Sequence, residues 1–236
     1  MSMTNAVLKS AWRSPTTLGF LVAMLILTCL MSPAAFAQPS GAADAYYIGY
    51  FGNANLPGFP DTQVNIVNPG STGGYSTTDL LTPVGDLCAN IYVFTADQQM
   101  RECCSCFTTP NGHIQLSTNK DLTANPLQNP GVVPSPVAGV IKIVSSSPAA
   151  AGSCLKSKAP VAATTYAPNG SLRTWNTHAR GTVTGSSPLY TVTETAFRPA
   201  TLSDDGTELA KIQAQCYFLW NTGSGTGVCT CGKTPI

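Results

Sequence analysis

Charge is scarce in this chain: among 236 residues there are 12 Lys or Arg, 11 Asp or Glu, and two histidines, His113 and His178. With no basic run, the chain lacks the field that gathers nucleic acid, and with no acidic run it lacks the field that gathers calcium in bulk. Catalytic signatures are missing too. Gly-x-Ser-x-Gly does not occur, and Gly223-Ser224-Gly225 lacks the strand-elbow-helix setting of a nucleophile. Neither histidine falls in a nucleophile or metal motif. The glycines between Asn221 and Gly227 follow a helix-like segment, the reverse of the order that brings helix N-terminal amides to a phosphate. They read instead as a turned connection that lets the last cysteines reach their partners. No apolar run reaches the roughly 20 residues that cross a bilayer.

A shorter apolar run is present, and its flanks give it a meaning. Lys9 and Arg13 precede residues 18–31, which give way to Ser32-Pro33 and then Ala35-Phe36-Ala37. A basic start, an apolar middle and an Ala-x-Ala site describe a secretory signal peptide over 1–37, cleaved between Ala37 and Gln38. The alternatives are a membrane anchor, for which the run is short, and lipidation at Cys29, for which Leu27-Thr28 is a poor match. Cleavage leaves 38–236, or 236 minus 37, which is 199 residues. Losing Lys9 and Arg13 leaves 10 basic against 11 acidic residues, a net charge of −1. That length suits one secreted β-rich domain, with a lobe boundary at 125–136, where four prolines cluster, as the alternative.

Cys29 departs with the leader, and the nine cysteines become eight: Cys88, Cys103, Cys104, Cys106, Cys154, Cys216, Cys229 and Cys231. Outside the reducing cytosol an even set is expected to pair as disulfides. Adjacent Cys103 and Cys104 point to opposite faces of a strand, so they are expected to join different partners and clamp two layers. Eight cysteines allow about 105 connectivities, and the pairs stay open. Zinc is the competing reading through the Cys103 to Cys106 spacing, but Cys229 and Cys231 are one residue too close and no histidine is near. A redox pair of Cys229 with Cys231 is the other. The expectation is no metal and no cofactor.

The rest of the chain reads as strands first and one helix last. Tyr46–Phe51, Gln63–Val67, 88–95, His113–Ser117, 137–144 and 189–197 are short, rich in β-branched and aromatic residues, and bounded by Gly, Pro or Asn. In 88–95, Ala89, Ile91 and Val93 share one face while Tyr92 and Phe94 share the other, so both faces are expected to be covered. Pro110-Asn111-Gly112 and Pro168-Asn169-Gly170 each suggest a type I′ hairpin turn. Their similar surroundings raise the alternative of an internal repeat, and Asn169-Gly170-Ser171 matches a glycosylation sequon. Leu209, Ile212, Cys216 and Leu219, spaced 3, 4 and 3 apart, line one face of a helix over 202–220, with Asp205 and Glu208 as caps and Cys216 as a tether. The expected fold is a mainly β, antiparallel β-sandwich stapled by disulfides, with one C-terminal α-helix.

The carboxylates add little chemistry. Asp204-Asp205 suits a helix start, and Asp97 and Glu102 suit the flanks of a solvated turn. The segments 87–94 (LCANIYVF), 102–106 (ECCSC), 109–112 (TPNG), 193–197 (TETAF) and 223–231 (GSGTGVCTC) together resemble a set of bacterial secreted cysteine-rich proteins of unknown function. That resemblance implies a bacterial exported protein and brings no activity, ligand or catalytic residue with it. The expectation is therefore a secreted, non-enzymatic structural or cell-surface interaction protein, found outside the cell, on its surface or in the periplasm. No nucleic-acid partner is expected, nor a membrane once the leader is gone. Three alternatives stand beside it. Tyr46, Tyr47, Tyr50, Phe51, Tyr75 and Trp175 offer rings for a polysaccharide. The Tyr46–Phe51 segment suits a strand donated to a neighbouring subunit of an extracellular polymer, and another cell-surface protein stands beside polysaccharide as a candidate partner. Two acids distant in the chain would make a hydrolase.

Overall fold

The structure is a computed structural model that describes residues 46–71, 73, 85–126, 136–148, 154, 171–184, 187–200 and 207–232. The leader 1–37, most of 125–136, Pro168-Asn169-Gly170, Tyr75 and Asp204-Asp205 lie outside the described residues. Among those described, nine strands run in chain order: β1 (Tyr46–Phe51), β2 (Gln63–Val67), β3 (Leu87–Thr95), β4 (Met100–Thr108), β5 (His113–Ser117), β6 (Gly139–Ser146), β7 (Arg173–Thr184), β8 (Ser187–Ala196) and β9 (Arg198–Ala200). One helix, α1 (Thr207–Thr222), follows. The strands form a five-stranded sheet in the order β4-β3-β6-β1-β9 and a four-stranded sheet in the order β5-β2-β7-β8. All their pairings are antiparallel.

Side-chain alternation divides the core into two layers. From β3, Ala89, Ile91 and Val93 enter the layer between the sheets, with Tyr47 and Phe51 of β1, Ile141 and Ile143 of β6, and Val64 and Ile66 of β2. The other face of the same strands, with Tyr92, Phe94, Tyr46 and Val144, packs on Leu209, Ile212, Cys216 and Leu219 of α1. A strand pressed from both sides can be apolar throughout, and eight of the nine residues of β3 are buried. The helix is tied down at its start. Glu208 accepts hydrogen bonds from the Tyr46 hydroxyl at 2.8 Å and from Lys142 Nζ at 3.2 Å. Burial first, then Glu208, pushes the Tyr46 phenol above its usual range.

Three local expectations need correction. The Pro110-Asn111-Gly112 turn does not close a hairpin, because β4 pairs with β3 in one sheet while β5 pairs with β2 in the other. Gly112 N donates to Thr109 O at 2.8 Å, and among the turn's central residues it is Asn111 that has positive φ, 62°. Proline followed by a left-handed Asn is the type II pattern, and here it carries the chain between sheets. Next, Glu102 is no turn flank but fully buried on β4. Last, β1 pairs with β6 along its whole length and with β9 over Tyr46 to Ile48, so Tyr46–Phe51 is already used within its own sheet rather than donated.

Candidate functional site

The cysteines collect at the β4 edge of the five-stranded sheet. Cys88 is bonded to Cys154, Cys103 to Cys216, Cys104 to Cys229 and Cys106 to Cys231, with Cα–Cα distances of 5.7, 5.9, 5.2 and 5.3 Å. Cys103 faces α1 while Cys104 and Cys106 face the layer between the sheets, so adjacent residues fasten different layers. The tail runs beside β4. Cys103 N donates to Gly227 O at 3.0 Å and Cys229 N donates to Cys103 O at 3.3 Å. An edge that would otherwise offer free backbone groups is thereby covered. Cys229 and Cys231 are bonded to β4 and not to each other, which corrects the alternative of a redox pair between them. The sulfurs of Cys104, Cys106 and Cys231 lie within 4.8 Å of one another, but each already belongs to a disulfide and offers no thiolate to a metal.

Beside this cluster Glu102 accepts a hydrogen bond from Asn125 N at 2.8 Å on Oε1, and Oε2 has no partner. Burial raises its carboxyl pKa to about 8, against the smaller lowering by Asn125. The group is therefore protonated at neutral pH.

The aromatic residues do not form one exposed row. Tyr47 and Phe51 lie between the sheets and Tyr46 under the helix, because alternation along β1 leaves no other place for them. Of the rings singled out in the sequence that are described, Tyr50 and Trp175 stay accessible, on separate surfaces. Trp175 lies parallel to His113, with ring centres 5.9 Å apart, on the outward face of the four-stranded sheet. Between these rings Asn65 accepts from Gln115 Nε2 at 3.4 Å, meets His113 Nε2 at 3.2 Å and donates to Thr177 Oγ1 at 3.1 Å. Tyr50 is 49% exposed and stacks on His178, two residues from Asn176 on the inward face of β7, with ring centres 4.7 Å apart.

Tyr50 stands at a corner of the sandwich. The chain leaves the four-stranded sheet at the end of β8, passes through buried Phe197 and joins the five-stranded sheet as β9. Phe197 sits so close to β1 that a Cβ on Gly49 would come within 2.5 Å of its ring, which explains glycine at that position. A cleft of about 300 Å³ opens there, lined by Tyr50, Gly49, Val140, Asn176, Thr195 and Arg198 among others.

Two buried acceptors stand on the adjoining strand without partners. Asn176 donates from Nδ2 to Tyr50 O at 2.5 Å, and its Oδ1 is unmatched. His178 Nδ1 lies 3.1 Å from Thr62 Oγ1, whose own proton goes to Gly52 O at 3.0 Å, so Nδ1 is the donor in that contact. Burial, and then Arg180, lowers the His178 pKa and keeps the ring neutral. Its Nε2 is then an acceptor, also unmatched. An unsatisfied buried acceptor costs about 1 to 3 kcal/mol, and a pair of them on one strand face marks a place suited to hydroxyl donors.

Comparison with family models, curated proteins and solved structures returns no match. Sequence reasoning named Tyr50 and Trp175 but missed Asn176, Thr195 and Arg198. The cleft draws on β1, β6, β7, β8 and β9, so no local spacing marks it. The one visible signal was Asn176 and His178 at alternate positions of a strand otherwise poor in apolar residues.

Proposed function

We propose that this is an exported, non-catalytic interaction protein whose disulfide-stapled sandwich presents binding surfaces outside the cytosol. The observation that carries this reading is the pairing of all eight cysteines that follow the leader, since such a set persists in an oxidising compartment. The leader-like segment 1–37 and the resemblance to bacterial secreted proteins point the same way. Among the described residues no helix is long and apolar enough to cross a membrane. The non-catalytic part rests on how the titratable groups are used: His113 packs on Trp175, His178 beneath Tyr50, and Glu102 under the tail.

Fractionation of the producing cell, followed by intact-mass analysis with thiol blocking, tests the reading. The expected species begins at Gln38, lies outside the cytosol and takes up blocking reagent only after reduction. Cytosolic protein with the leader attached, or four or more blocked thiols without reduction, would overturn it.

A further inference from the structure

We propose that the cleft at the corner between the two sheets binds a hexuronic acid unit, a single sugar ring carrying one carboxylate. This rests on the reading of the chain as an exported interaction protein and names the ligand class of one surface. Each part of such a ring meets a group already in place. The half-exposed Tyr50 ring is held from behind by His178, leaving a flat apolar face against which the C–H face of a sugar can stack. Asn176 Oδ1, buried and without a partner, needs a hydroxyl donor, and sugars are dense in hydroxyls. Thr195 adds a hydroxyl at the exposed side. Arg198 is exposed at the same cleft, and no ion pair with it occurs among the described residues. A guanidinium meets a carboxylate through two parallel hydrogen bonds, which fixes orientation as well as charge.

Other ligands leave part of the cleft unused. A small anion would answer Arg198 but bring neither the stacking face nor the donor for Asn176. A neutral sugar would stack and donate but leave the cation unmatched. At about 300 Å³ the cleft stands at the small end of ligand pockets and suits one ring of a longer polymer.

The test uses the oxidised, leader-free protein, with titration calorimetry and ligand-observed NMR against D-galacturonate, D-glucuronate, D-galactose and acetate. A uronate is expected to bind with a Kd of about 1 mM, and galactose and acetate about tenfold or more weaker. Arg198→Gln, at an exposed position, is expected to bring uronate down to the level of galactose. Tyr50→Ala is expected to weaken both sugars about tenfold. Thermal melting of each variant separates lost binding from lost folding, and Arg198→Gln decides if Tyr50→Ala is unstable. Acetate bound as tightly as uronate would overturn the sugar assignment. Galactose bound as tightly as uronate would overturn the acidic one, and no uronate bound at roughly 50 mM would overturn both. Such failures, in a protein that is still exported and carries no free thiol, would leave the broader proposal standing.

Discussion

The two sheets of this protein solve the same problem with different means. The five-stranded sheet is covered on both faces, by the other sheet and by α1, and every disulfide starts on its β3 or β4 strand. Among the described residues the four-stranded sheet is covered on one face, and its strands carry no cysteine. Its outward face is knit by polar side chains around Asn65, and at its free edge residues 190–196 of β8 are all exposed. The composition follows the environment. Strands pressed from both sides are buried along almost their whole length, polar residues such as Asn90 and Glu102 included, whereas β5 alternates exposed and buried residues. Covalent staples gather where the helix and tail, elements with little sheet pairing of their own, have to be held.

If the staples matter as this contrast implies, the largest effect belongs to them. Replacing both Cys103 and Cys216 by Ser opens a link that spans 113 residues, and the expected loss is about 4 to 5 kcal/mol, read as a lower midpoint in denaturant. A midpoint equal to wild type would break the comparison. Truncating the shared layer comes next. Ile91→Ala, on a side chain packed between the sheets, should cost about 3 kcal/mol by the same measurement.

A smaller effect, with a sign, belongs to Glu102. Its pKa of about 8 in the folded chain exceeds the ordinary 4.5, so the folded state keeps a proton that the unfolded chain releases. The contribution of Glu102 to stability is then full below about pH 4.5 and falls as pH rises to about 8, by at most about 1.4 kcal/mol per unit. Glu102→Gln removes that slope and should be the more stable protein by about 1 to 2 kcal/mol at roughly pH 9, checked by unfolding across pH. A wild-type curve that runs parallel to that of Glu102→Gln between about pH 5 and 8 would show the carboxyl to be solvated after all. The smallest change is expected on the exposed edge: Val192→Thr should shift stability by less than about 0.5 kcal/mol in the same unfolding assay. A larger loss would mean that β8 is covered by something.

The same contrast decides how much could be read from the residues alone. β1, β2 and β5 stand at the expected bounds, because β-branched and aromatic residues in short runs between turn formers leave few alternatives. The Leu209, Ile212, Cys216 and Leu219 stripe is the buried face of α1. By contrast β7 went unrecognised. Its inward residues include Thr174, Asn176 and His178, polar side chains that are buried, so the apolar alternation that marks a strand is absent. In β4 the strand is legible at Cys103 and Cys104, whose side chains must point to opposite faces, but its full length of nine residues is not. The Asn111 turn was legible as a turn but not as a crossing between sheets, since its destination depends on β2, more than forty residues earlier. The corner cleft was illegible for the same reason, its lining being assembled from five strands.

The pairing of the cysteines also sets an order of events. A ribosome delivers Cys103, Cys104 and Cys106 together, and their partners Cys216, Cys229 and Cys231 come 113, 125 and 125 residues later. For all that time three neighbouring thiols wait beside Cys88, whose own partner Cys154 arrives first. Oxidation in order of appearance would join the wrong sulfurs, so maturation calls for a catalyst that reshuffles bonds as well as one that makes them. A nascent chain cut short before Cys216 would hold three orphaned thiols and no means of retiring any of them correctly.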